Sequence, residues 1–104
     1  MTTLSTHVLD TATGEPAAGM EVHLSRWMDG SWVSLTGSTT DADGRVSGFG
    51  ELEAGRFRLG FETGRHGNTF FPFVHVVFEV DDSRPHLHVP LLLSPFGYST
   101  YRGS

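Results

Sequence analysis

Cysteine is absent from the 104 residues, which excludes disulfides, thiolate nucleophiles and sulfur-ligated zinc together. The chain therefore carries no mark of an oxidising compartment. Lysine is missing too, so all seven basic side chains are arginine. That excludes a lysine Schiff base and a lysine-bearing phosphate loop. A formal charge of −5 disfavours a nucleic-acid surface. No apolar run approaches the ~18 residues of a membrane span. The opening Met1-Thr2-Thr3-Leu4-Ser5-Thr6-His7 lacks the basic and apolar regions of a signal peptide, so a cytoplasmic protein is expected. Neither a Gly-x-Ser-x-Gly nucleophile turn nor a glycine-rich phosphate cradle occurs.

Glycine, by contrast, stands at 13 positions beside an apolar share of 38%. The combination indicates a globular, turn-rich chain rather than a disordered one. At this length one domain over residues 1–104 is expected. No window carries apolar residues at helical spacing, whereas alternation of period two recurs. Leu4, Thr6 and Val8 share one face of a first strand, with Ser5, His7 and Leu9 on the other. Met20, Val22 and Leu24 alternate in a second strand, and Asp29-Gly30 turns it into a third over 32–35. Phe57, Leu59 and Phe61 alternate again. Residues 73–80 are rich in β-formers, and Asp81-Asp82-Ser83 turns them into a strand from about 86 to 93. A last strand covers 98–101. A helix fits only near 64–70, where glycine limits it to one turn. Seven or eight short strands at intervals of about 8–12 residues indicate an all-β sandwich or barrel.

Three places could carry chemistry: His7, Arg45 directly after Asp43-Gly44, and the pair His86 and His88. Histidine is the usual acid/base near neutrality. Two residues apart on a strand, His86 and His88 project from one face. Pro85 and Pro90 bracket them, and proline cannot donate to a ladder, so this strand lies at an edge or carries a bulge. Leu91-Leu92-Leu93 follows at once. Imidazoles beside such a run must face a cavity, a partner or solvent, because burial without a hydrogen bond is costly. His23, His66 and His75 have no supporting pattern and read as surface residues.

His7, His86 and His88 could in principle supply three nitrogen ligands to zinc, but Arg45 pointing into the same site would oppose a cation. No metal or other cofactor is expected. Asp41-Ala42-Asp43-Gly44 has a faint calcium-loop look. A calcium loop would need carboxylates at positions occupied by Thr39 and Gly50, so the segment reads as a turn. Glu51 and Glu53 read as solvated carboxylates flanking a loop. With histidine as acid/base, water is the nucleophile left to an enzyme of this composition.

The chain also resembles a known family at four separated motifs in the right order. Leu4-Ser5-Thr6-His7-Val8-Leu9-Asp10, followed by Gly14-Glu15-Pro16-Ala17, is similar to the N-terminal motif of the transthyretin-like 5-hydroxyisourate hydrolases. Thr40-Asp41-Ala42-Asp43-Gly44-Arg45 is similar to their central motif, with Asp41 where Asn is common. His86-Leu87-His88-Val89-Pro90-Leu91-Leu92-Leu93-Ser94-Pro95 resembles the third, with Leu87 where an aromatic is frequent. Tyr98-Ser99-Thr100-Tyr101-Arg102-Gly103-Ser104 closes the match. Transthyretin, the hormone-binding relative, shares the Leu-Leu-Ser-Pro and Tyr-Ser-Thr elements. It lacks the histidines and the Tyr-Arg-Gly-Ser ending.

The resemblance implies a transthyretin-like sandwich of two four-stranded sheets. It implies a homotetramer with clefts at the dimer–dimer interface, lined by residues of two subunits. The activity implied is hydrolysis of 5-hydroxyisourate to 2-oxo-4-hydroxy-4-carboxy-5-ureidoimidazoline in urate degradation. Within it, Arg45 would hold substrate oxygens and stabilise the oxyanion. His7 and His88 would move protons to and from water and the leaving nitrogen, in an order left open. Tyr101 would hydrogen-bond the substrate, the Ser104 hydroxyl or terminal carboxylate would orient a histidine or the water, and Arg102 would anchor the tail by an ion pair. His86 would line or support the site. The competing reading is a carrier that holds a small aromatic ligand in an interfacial channel without turnover.

Overall fold

The computed structural model of the protein describes residues 1–103. It is all-β apart from one 3₁₀ turn, Thr63–His66, which Gly67 ends in the left-handed region (φ +99°). Two sheets enclose a single apolar cluster.

One sheet runs β4–β3–β7–β8, made of β3 (Glu21–Met28), β4 (Ser31–Thr39), β7 (Gly55–Phe61) and β8 (Val74–Val80), all antiparallel. The β3–β4 connection is the Asp29-Gly30 turn. Both residues have positive φ (51° and 83°), and Met28 pairs with Ser31 across it. That is the primed geometry whose twist suits a two-residue hairpin. Phe57, Leu59 and Phe61 of β7 and Val22 and Leu24 of β3 are buried on the inner face.

The other sheet is built on β1 (Thr2–Asp10). On one edge β1 carries two parallel partners, β9 (His86–His88) and β10 (Leu91–Ser94). On the other it carries three antiparallel two-residue strands, β2 (Glu15–Pro16), β5 (Arg45–Val46) and β6 (Glu51–Leu52). The last strand, β11 (Gly97–Thr100), pairs with β10. Seven segments thus fill four lines, which reconciles the expected four strands with the observed seven. The expected continuous strand over 86–93 is interrupted at Val89-Pro90, yet its register on β1 does not shift: Ser5 stands beside His88 and Val8 beside Leu91. Pro90 has no N–H to give, and Thr6 Oγ1 instead donates to the Val89 carbonyl at 2.6 Å. Among the described residues no helix is long and apolar enough to cross a membrane.

Leu4, Thr6 and Val8 are buried, as the alternation predicts, and Thr2 extends the stripe, while Thr3, Ser5 and His7 face outward. β1 therefore packs the core with one face and offers polar side chains on the other, between two sets of partners. This strand sets the site.

Candidate functional site

The register on β1 brings the predicted residues together. Arg45 of β5 is the direct partner of His7. On the opposite edge His86 pairs with Thr3 and His88 with Ser5. Val46 and Leu87 are buried, so the alternating neighbours Arg45, His86 and His88 share the outer face with Thr3, Ser5 and His7. Three adjacent strands thereby present two imidazoles and a guanidinium around His88.

Arg45 owes its place to the preceding turn. Asp41 Oδ1 accepts the N–H groups of Asp43 (2.8 Å) and Arg45 (3.0 Å), an Asx-type closure. This is what the calcium-like pattern does in the fold: the carboxylate caps a turn. Gly44 has φ +74°, and a Cβ there would stand 2.5 Å from the Val8 carbonyl oxygen. Only glycine permits this approach, in which Val8 N–H donates to Gly44 O at 2.8 Å and seats β5 against β1.

The two imidazoles of β9 are tied to β1 by hydroxyls. Thr3 Oγ1 lies 2.6 Å from His86 Nδ1. Ser5 Oγ lies 2.8 Å from both His86 Nε2 and His88 Nδ1. Burial pushes the His88 pKa below the usual imidazole value, and the positive charges of Arg45, His7 and His86 reinforce the shift. His88 is therefore held neutral near physiological pH.

The tail reaches this site through its backbone. Gly103 N–H donates to His88 O at 2.7 Å, an isolated bridge beyond β11. A side chain at 103 would meet His88 Cδ2 at 2.9 Å. Tyr101 is placed differently. Its exposed ring helps line a groove of about 300 Å³ with Val76, Leu87 and Val89, between β8 and the chain's last residues. It makes no hydrogen bond to the histidines among the described residues. The tail is held to β9 by the Gly103 backbone bond, and among the described residues no ion pair of Arg102 accompanies it. Ser104 lies outside the described residues.

The ligating atoms of His7, His86 and His88 do not come within 4.8 Å of one another as a set. Among the described residues that spacing is met by Glu21, His23 and Glu62. There Arg65 already bonds both carboxylates (3.0 and 3.3 Å) and His23 bonds Glu62 (2.6 Å). With Arg65 those three form a partly buried ion-pair network beside the other sheet.

Sequence reasoning missed Thr3 and Ser5. The alternation placed Ser5 on the face of His7, but only the long-range parallel pairing sets both hydroxyls against imidazoles.

A sequence model of the HIUase/Transthyretin family matches residues 4–103. The chain belongs to that family. Among HIUase/transthyretin proteins it is 47% identical to the 5-hydroxyisourate hydrolase of Caulobacter vibrioides, covering the whole of both chains. It is 44% identical to the bifunctional uric acid degradation protein TTL of Arabidopsis thaliana over 97% of its own length, but spans only 37% of that protein. The solved 5-hydroxyisourate hydrolase of Klebsiella pneumoniae superposes with a TM-score of 0.85 at 41% identity, covering all of both chains. Sea bream transthyretin, solved with thyroxine, gives 0.86 at 29% identity, with 96% and 93% covered. Within this family the backbone alone does not separate enzyme from carrier. Side chains must do so.

Proposed function

We propose that the protein hydrolyses 5-hydroxyisourate, opening the six-membered ring by attack of water at C6 and cleavage of the N1–C6 bond. The observation that carries this reading is the registered set Arg45–His7 and Ser5–His88 across three adjacent strands. Its relatives named for this hydrolysis are 42–47% identical over nearly the whole chain.

The chemistry follows from the groups. The substrate is a flat, readily ionised imide. Arg45 presents a planar fork of donors, permanently charged, to its carbonyl and to the oxyanion that forms as water adds. A neutral imidazole beside that charge is a competent general base. The water oxygen bonds to C6, its proton passes to an imidazole, and the C6–N1 electron pair leaves onto nitrogen. That nitrogen takes a proton from the other histidine. Tyr101 contacts substrate, and Ser104 orients a histidine or the water.

Thr3 is exposed and Ser5 and His7 are only half-buried in a single protomer, so the outer face of β1 is open unless a second copy covers it. A homotetramer whose interfaces close over this face would supply the walled crevice that excludes bulk water. It would also bring tail residues of one protomer to the imidazoles of another.

The direct test generates 5-hydroxyisourate with urate oxidase and follows its absorbance decay with and without the protein. Faster decay is expected. Arg45→Ala should lower kcat/KM by at least ~100-fold with the fold retained, since an oxyanion donor is worth about that much. Unchanged decay with the wild type would reject the activity, and full activity in Arg45→Ala would remove Arg45 from it.

A further inference from the structure

We propose that Thr3, Ser5 and His86 act as positioning residues, forming a one-way hydrogen-bond chain that keeps Nδ1 of His88 protonated and leaves its Nε2 bare, so that His88 rather than His7 takes the proton from water. The inference rests on the hydrolytic reading and assigns the order of the two histidines within it.

The direction follows from counting hydrogens. Thr3 Oγ1 stands 3.2 Å from the Pro85 carbonyl oxygen, a group that can only accept. The threonine hydroxyl has one hydrogen. When it is given to Pro85, Thr3 must accept from His86 Nδ1–H at 2.6 Å. A neutral His86 then has a bare Nε2, which accepts from the Ser5 hydroxyl at 2.8 Å. Ser5 has now used its hydrogen and can only accept, from His88 Nδ1–H at 2.8 Å. The remaining nitrogen of His88 is Nε2, with its lone pair free for the proton of water.

The reverse direction is penalised at both ends. It would set two oxygen lone pairs against each other across the 3.2 Å between Thr3 and Pro85. It would also place the proton of His88 on Nε2, leaving no base at the ring's outer edge. Groups bearing on His88 from each neighbouring strand are Arg45 on β5, His7 on β1 and His86 on β9. Arg45 is permanently cationic and favours a lone pair over a second proton on this ring. During turnover the proton lost by water stays on Nε2, while Nδ1–H remains bonded to Ser5. The resulting imidazolium keeps its acceptor, as the orienting carboxylate does in better-known triads. No proton needs to travel down the chain.

Nitrogen-15 NMR of histidine-labelled, ligand-free protein at a pH of about 8, above the ordinary imidazole range, reads the tautomer without substrate. His88 should show a protonated Nδ1 and an unprotonated Nε2. Ser5→Ala should shift this balance toward protonated Nε2 and lower kcat at least ~10-fold with KM little changed, since a misplaced acid/base proton costs that order or more. Thr3→Val should lower kcat about threefold to tenfold alone, Thr3→Ser should restore it, and Thr3→Val should cost nothing further in a Ser5→Ala background. Unchanged far-ultraviolet circular dichroism and denaturant midpoints report that these outward-facing substitutions leave the fold intact. A wild-type His88 protonated on Nε2 would overturn the chain while leaving the hydrolysis standing, and so would losses in the two variants that simply multiply. Absence of wild-type turnover with the expected tautomer would instead reject the hydrolytic reading and keep the chain.

Discussion

At the scale of single residues, His88 ties together β1, the tail and the charged edge of the site. Its ring is bonded to Ser5, its carbonyl to Gly103, and its charge state answers to Arg45. Because the folded pKa is held below the ordinary 6.5, the unfolded chain binds this proton more readily than the native one. The stabilisation is complete above 6.5 and is lost as the pH falls through that value toward the folded pKa. His75, lowered by burial and by Arg58, works in the same direction. The denaturant midpoint should therefore fall on acidification below about 6.5, and His88→Gln should flatten that fall. A midpoint that rises between pH ~6.5 and ~5 would contradict the direction of both shifts. Activity should persist below the usual imidazole pKa, because the base stays neutral there.

At the scale of elements, the two-residue strand β5 matters more than its length suggests, because it delivers Arg45. Gly44→Ala would combine a left-handed backbone (φ +74°) with a Cβ 2.5 Å from the Val8 carbonyl oxygen. A loss of at least about 1–3 kcal/mol is expected, together with reduced kcat as Arg45 moves. Gly14→Ala is the control: its φ is nearly the same (+75°) but nothing lies within 4 Å. It should cost about 1 kcal/mol and leave kcat unchanged. Equal effects in urea titrations and initial rates would mean that close packing at Gly44 has no special part.

What could be read in advance divides along the same line. Strands that bury a stripe show it: Leu4, Thr6 and Val8, or Phe57, Leu59 and Phe61, alternate because one face meets the core. The Asp29-Gly30 hairpin was legible for the same local reason. β2, β5 and β6 are each two residues long and contain no period to detect; they exist because β1 offers them an edge. His7, Arg45, His86 and His88 were legible as residue types in motifs. Their hydroxyl partners were not, since contacts of Thr3 and Ser5 with β9 join residues more than 80 apart in sequence. Nor did the tail's composition reveal that Gly103, through its backbone, would be the residue bonded to His88.

At the scale of the molecule, apolar surface remains where an assembly would use it. Phe70, Phe96 and Tyr98 are exposed, with Phe70 and Phe96 in edge contact at 6.2 Å, and the groove beside Tyr101 is almost wholly apolar-lined. Such patches mark association sites. Light scattering should return a mass about four times the 11.4 kDa chain, and dilution that dissociates it should abolish turnover. A fully active monomer would show that one protomer's outer face suffices.

The placement of β1 also dictates a timetable. Its neighbours along one edge are residues 86–88 and 91–94, joined in parallel, so the first strand made waits for nearly the last. Parallel closure across such a span is slow, because loop entropy is lost before the contacts form. The antiparallel β3–β4–β7–β8 sheet needs only residues 21–80 and can consolidate while synthesis continues. A nascent chain would thus pair His7 with Arg45 on one edge of β1 before His88 reaches the other, and the proposed hydrolysis is expected only once β9 and β10 have docked.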